Sequence, residues 1–151
     1  MKRRAEILAA MMCLASGIAH GACSIAVTPI NFGAYNVFAT VPLRSTGTFS
    51  VTCNEAPPPT VTISIGPSAT TGVINPRQMQ QSGGSDVLSY NLFTDSALGQ
   101  LWGDGVSGGT VLRQKVTKNK AWNALVYASL PALQNVAAGS YSDSLLVTIT
   151  W

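Results

Sequence analysis

Beyond an apolar run at its N-terminus, the chain carries no sustained helical periodicity. Its apolar residues recur at every second position instead, often with Thr or Ser between them. Period-two alternation puts successive side chains on opposite faces of an extended backbone, so each such run reads as a strand with one face for a core. The runs are 46–54, 60–65, 87–94, 111–117, 124–130 and 145–151. Phe49, Val51 and Cys53 share a face in one, Val61, Ile63 and Ile65 in the next, and Leu88, Tyr90 and Leu92 in a third. The last run aligns Leu145, Val147, Ile149 and Trp151 opposite Thr148 and Thr150. Turn clusters punctuate these runs, among them Asn75-Pro76, Ser82-Gly83-Gly84, Gly103-Asp104-Gly105 and Gly108-Gly109. About seven short strands so spaced predict an all-β fold, an antiparallel β-sandwich. At 151 residues the chain suffices for one domain and not comfortably for two.

The N-terminal run has a different meaning. Lys2-Arg3-Arg4 precedes an apolar stretch over 7–18, and Ala19-His20-Gly21 supplies small residues at the −3 and −1 positions of a cleavage site. This is the layout of a secretory signal peptide over 1–21, with cleavage after Gly21 or Ala22 and a mature domain over 22–151. A membrane span needs about 20 apolar residues, more than this run offers. A lipoprotein signal ending at Cys23 would want Leu or a similar residue where His20 stands. The expected consequence is export. Cleavage removes Cys13 and His20, leaving Cys23 and Cys53 and no histidine. In an oxidising compartment two cysteines most simply form one disulfide, the alternative being two free thiols.

Charge and chemistry narrow the function. Charged residues make up 10% of the chain and apolar ones 46%, the reverse of a disordered composition. Without Lys2, Arg3, Arg4 and Glu6, six basic and five acidic residues remain, so the formal +3 falls to +1. No basic patch is left for nucleic acid or an anionic membrane. Gly103-x-Gly105-x-x-Gly108 fits a dinucleotide fingerprint, but no helix pattern follows to hold a pyrophosphate. Gly105-x-Ser107-x-Gly109 fits a nucleophile elbow, yet the mature chain has no histidine to take the serine proton. Both matches describe a Gly-rich hairpin loop. Asp95 and Asp104 flank Trp102 but stand in Thr-Asp-Ser and Gly-Asp-Gly turns, where Asp caps its own backbone. With no histidine and the cysteines paired, no zinc site is expected, and the carboxylate spacing is not that of a calcium loop. The reading is therefore no catalysis, no cofactor and no metal.

The ordered residues along nearly the whole mature chain resemble the spore coat protein U domain family, which includes the subunits of archaic chaperone–usher pili. The matching features are the early Cys23, Asn31-Phe32-Gly33-x-Tyr35, and a strand ending Val51-Thr52-Cys53. Arg77-x-Met79, Leu88-x-Tyr90-Asn91-Leu92-Phe93-x-Asp95 and Trp102-Gly103-Asp104-Gly105 follow. Val126-Tyr127, Leu130-Pro131 and Gly139-x-Tyr141-x-Asp143 complete the pattern, ahead of an alternating strand that stops at an aromatic residue. The resemblance implies an immunoglobulin-like sandwich lacking its last strand, and a Cys23–Cys53 disulfide. It implies further that a periplasmic chaperone lends the missing strand, that a neighbouring subunit replaces it, and that an outer-membrane usher handles assembly.

Leu145, Val147, Ile149 and Trp151 are then the expected edge and groove for the borrowed strand. Alternation alone better fits a row facing a complete core; the resemblance reverses that preference. A subunit that lends a strand needs about 10–15 residues ahead of its first cysteine. Here cleavage would leave at most one or two before Cys23, so the subunit is expected to accept a strand and lend none, at a chain end and most naturally the tip, or as a non-polymerising surface-coat relative. The competing expectation is a secreted carbohydrate-binding sandwich using Trp102 or Trp122.

Overall fold

A computed structural model describes residues 22–151. The expected signal peptide over 1–21, with Cys13 and His20, lies outside the described residues. No helix occurs among the described residues, and the strands form two antiparallel sheets, so the fold is all-β as the alternation requires.

Nine strands follow in order: β1 (Cys23–Thr28), β2 (Leu43–Cys53), β3 (Thr60–Ser68), β4 (Arg77–Gln81), β5 (Val87–Phe93), β6 (Leu112–Lys115), β7 (Trp122–Leu130), β8 (Tyr141–Ser142) and β9 (Leu145–Thr150). The larger sheet runs β1-β2-β7-β5-β4-β8 and the smaller β6-β3-β9. The alternating runs all lie on strands, with bounds shifted by a few residues. β1, β4 and β8 add to them.

The core is the inward row of each alternating strand. Phe49, Val51 and Cys53 on β2 face Val61, Ile63 and Ile65 on β3, and Leu88, Tyr90 and Leu92 on β5 join Val126, Ala128 and Leu130 on β7. Burying a Val, Leu, Ile or Phe side chain contributes about 1.5–3 kcal/mol, so these rows supply the main cohesion between the sheets. Outward positions of β2 and β3 are mostly Thr and Ser, whose β-branched or hydroxyl side chains suit a solvated pleat.

β1 pairs with β2 from Cys23↔Cys53 to Thr28↔Thr48, and the first pair carries a disulfide. The chain then leaves the sheet and crosses its inner face over residues 29–37. Gly47 permits the crossing: a Cβ there would stand 2.9 Å from both Ile30 Cγ1 and the Thr28 carbonyl oxygen. Ser45 Oγ holds the segment by donating to the Asn31 carbonyl at 2.6 Å. Phe32 then packs edge-on to Tyr90, ring centres 6.0 Å apart.

Candidate functional site

Among the described residues β9 pairs with β3 alone, from Thr62↔Thr150 through Ile65↔Val147 to Ser68↔Leu145. Its other edge faces an open cleft of about 1150 Å³. Residues 29–37 form one wall, residues 136–143 with Leu145 and Val147 of β9 border it elsewhere, and Leu88, Tyr90, Leu92 and Leu130 line it from the large sheet. Leu145, Val147 and Ile149 point inward and are partly buried against the core, while Leu146, Thr148 and Thr150 face solvent. Trp151 lies just past the strand and is 51% exposed. An edge of this kind presents unpaired N–H and C=O groups, and beside an apolar trough it is a template for another strand.

One end of the cleft is polar. Asp143 precedes β9 by two residues and continues its inward row. Tyr90 Oη donates to Asp143 Oδ2 at 2.8 Å, and the Ser144 N–H donates to Oδ1 at 2.9 Å. Burial, reinforced by that donation to a carboxylate, pushes the Tyr90 phenol far above its ordinary value.

Tyr90 is the cross-strand partner of Arg77, whose side chain is 0% exposed. Its Nη2 donates to the carbonyls of Trp102 at 2.9 Å, Gly66 at 3.0 Å and Ile65 at 3.2 Å, and its Nε to Gly66 at 3.2 Å. Ile65 and Gly66 sit where the β3–β9 register shifts, so the guanidinium serves backbone oxygens at the irregularity. Burial lowers the Arg77 pKa, yet guanidinium remains protonated at any ordinary pH. Arg77 therefore ties β4 of the large sheet to β3 of the small one, near the polar end of the cleft. In the sequence Arg77 is visible only as part of a family pattern, because Arg-Gln-Met-Gln-Gln shows no alternation. Asp143 was within reach, since it keeps the period of Leu145, Val147 and Ile149.

The two tryptophans part company. Trp102 is 0% exposed, with its Nε1 donating to the Ile63 carbonyl at 3.2 Å and its ring edge-on to Phe49 at 5.6 Å. That corrects the expectation of a ligand contact there: the indole has no face to offer a sugar. Trp122 opens β7 opposite Val51 and is partly buried against the core. Asp95 and Asp104 do cap their own turns. Asp95 Oδ1 accepts from the N–H of Gln100 at 2.7 Å and of Gly99 at 3.1 Å, and Asp104 Oδ1 from Ser107 at 2.7 Å and Val106 at 2.9 Å. These bonds hold both carboxyls below the usual range, led by Gln100 for Asp95 and by Val106 for Asp104. The glycine-rich segment 103–109 is a loop in which Gly105 N–H donates to the Gly108 carbonyl at 3.4 Å, and no helix follows it among the described residues.

A two-sheet antiparallel sandwich in which the β9 edge borders an apolar cleft defines the class: an all-β sandwich. The family model of the Spore Coat Protein U domain matches residues 9–148, and the chain belongs to that family. It is 33% identical over 143 residues to Protein U of Myxococcus xanthus, covering 87% of this chain and 78% of that protein. Among solved structures it is similar to a chain of the CsuC-CsuE chaperone-tip adhesion subunit pre-assembly complex from archaic chaperone-usher Csu pili of Acinetobacter baumannii. That likeness has a TM-score of 0.61 at 20% identity and covers 87% of this chain. It concerns the fold, and this chain spans 40% of the length of that one.

Proposed function

We propose that the protein is a non-enzymatic structural subunit of a surface fibre or coat, of the archaic chaperone–usher pilus type, whose cleft accepts a β-strand from another chain. The observation that carries this reading is that, among the described residues, β9 is paired only on its β3 side and borders the apolar cleft. A strand laid along β9 would satisfy its free backbone groups and bury Leu145, Val147 and Ile149 more completely. The donors are a periplasmic pilus chaperone first and a neighbouring pilus or coat subunit later, with an outer-membrane usher between them. Membership of the Spore Coat Protein U domain family supports the reading, as does the likeness to a chain solved with a chaperone.

Residues 1–21 serve in this proposal as the export signal, bringing the domain over 22–151 through the periplasm to the cell surface. A subunit cleaved after Gly21 or Ala22 would accept a strand and have none to lend, and we put it at a fibre end.

The test is co-expression with the cognate chaperone and purification from the periplasm. The expected product is a one-to-one complex in which the β9 amides are protected from hydrogen exchange. A stable solitary monomer, with β9 amides exchanging as those of an ordinary edge strand, overturns the reading. The mass of the mature N-terminus checks the cleavage site.

A further inference from the structure

The strand-acceptor reading leaves open what kind of strand fits, and the cleft wall is not uniform. Leu145, Val147 and Ile149 form an apolar inward row, but the next inward position toward the N-terminus is the carboxylate of Asp143. Asp143 also borders a smaller depression of about 310 Å³, where Thr70, Gln80, Ser142 and Ser144 make the surroundings polar. Its two hydrogen bonds come from Tyr90 Oη and Ser144 N, both neutral donors. A carboxylate has about four lone-pair sites, so acceptor capacity remains. Arg77, the nearby buried cation, directs its hydrogen bonds to the carbonyls of Ile65, Gly66 and Trp102 instead.

We propose that the strand filling this cleft carries a hydrogen-bond-donating side chain, such as the Lys ammonium, beside Asp143, and apolar side chains at the inward positions beside Leu145 and Val147. This rests on the strand-acceptor reading of the cleft. An inserted strand strips water from whatever it covers. Beside Leu145 and Val147 that is favourable, because both surfaces are apolar. Beside Asp143 an apolar side chain would desolvate lone pairs without replacing their bonds, and an acidic one would add like-charge repulsion. Side chains two residues apart on the incoming strand match the spacing of Asp143, Leu145 and Val147, because both strands share the period of two. The cleft thus selects for one polar position at one end of an otherwise apolar face.

The experiment uses the full mature chain refolded with fluorescently labelled nine-residue peptides of alternating Val and Thr. One inward Val near an end is replaced by Lys, Leu or Glu, and the peptides are made with that position at either end. Anisotropy gives the dissociation constants. The Lys peptide is expected to bind about tenfold more tightly than the Leu peptide, with Glu weakest. Asp143→Asn, which keeps the shape of the side chain, should remove the preference for Lys over Glu. Asp143→Leu, provided it refolds, should favour the Leu peptide. Equal binding of all three, or the same ranking in wild type and Asp143→Asn, overturns the pattern while leaving the strand-acceptor reading standing. Failure of every peptide to bind overturns both.

Discussion

The side-chain amide of Gln134 forms a two-way hydrogen-bonded pair with the backbone of Ser89. The Ser89 N–H donates to Oε1 at 2.7 Å, and Nε2 donates to the Ser89 carbonyl at 2.9 Å. The β5–β7 pairing covers Asn91↔Ser129 to Phe93↔Tyr127, so Gln134 takes over as partner of β5 beyond its end. Nε2 also donates to the Pro131 carbonyl at 3.1 Å, and the Gln134 N–H donates to Tyr35 Oη at 2.7 Å. Through Tyr35 the same residue fixes the 29–37 wall of the cleft. Gln134→Ala should therefore cost about 1–3 kcal/mol, read by urea denaturation, because it strands both polar groups of Ser89. Tyr35→Phe should cost less, about 1 kcal/mol.

Arg77→Met retains apolar bulk but leaves the carbonyls of Ile65, Gly66 and Trp102 without their donor. A loss above about 3 kcal/mol is expected in the same measurement. Arg77→Lys should recover less than half of it, since an ammonium lacks the planar fork that reaches carbonyls from two elements at once.

The Cys23–Cys53 bond closes a separation of 30 residues. In the chain-entropy model, replacing both cysteines with serine should lower unfolding free energy by about 3–4 kcal/mol. Reductant should produce the same fall in the wild type and none in the double variant. A further fall in the variant would mean that reductant acts elsewhere.

Asp95 gives a pH dependence of known sign. Its folded pKa is depressed by the Gln100 and Gly99 N–H groups, so the unfolded chain takes up this proton at higher pH than the native one. The stabilisation is complete above the unfolded value of about 3.9 and is lost as pH falls through the lower folded value. The gap in melting temperature between wild type and Asp95→Asn should hold from pH 7 to about pH 5 and close in more acid solution. A gap that persists at the acid end would place the effect in shape rather than charge.

How far the sequence reveals this molecule depends on whether each strand buries an apolar face. β2, β3, β5, β7 and β9 do, and their period is plain on paper. β4 does not, because its deepest side chain is Arg77, made tolerable in the core only by carbonyls that fold against it from β3 and the 102 region. Trp102 misleads in the opposite direction. Its Gly-Asp-Gly neighbours look like a surface loop, yet Gly103 is buried beside it and the indole turns inward to reach the Ile63 carbonyl. The open edge of β9 is legible only in part: alternation marks the strand, but cannot say on how many sides it is paired. The second cleft wall, 29–37, carries no strand pattern at all, since it is held by Ser45, Gly47 and the Phe32–Tyr90 contact rather than by a ladder.

The pairing of β9 with β3 spans most of the described chain; Ser64 and Thr148, which face each other across it, lie 84 residues apart. Contacts so distant in sequence form only after a long loop has been closed. During synthesis, β3 is complete well before β9 exists. The side of the small sheet that ends as an open edge is therefore also the side that waits longest for its own strand. Under the proposed function, timing joins shape as something an outside chain could act on, because a partner arriving early would meet β3 itself, and one arriving late would meet β9.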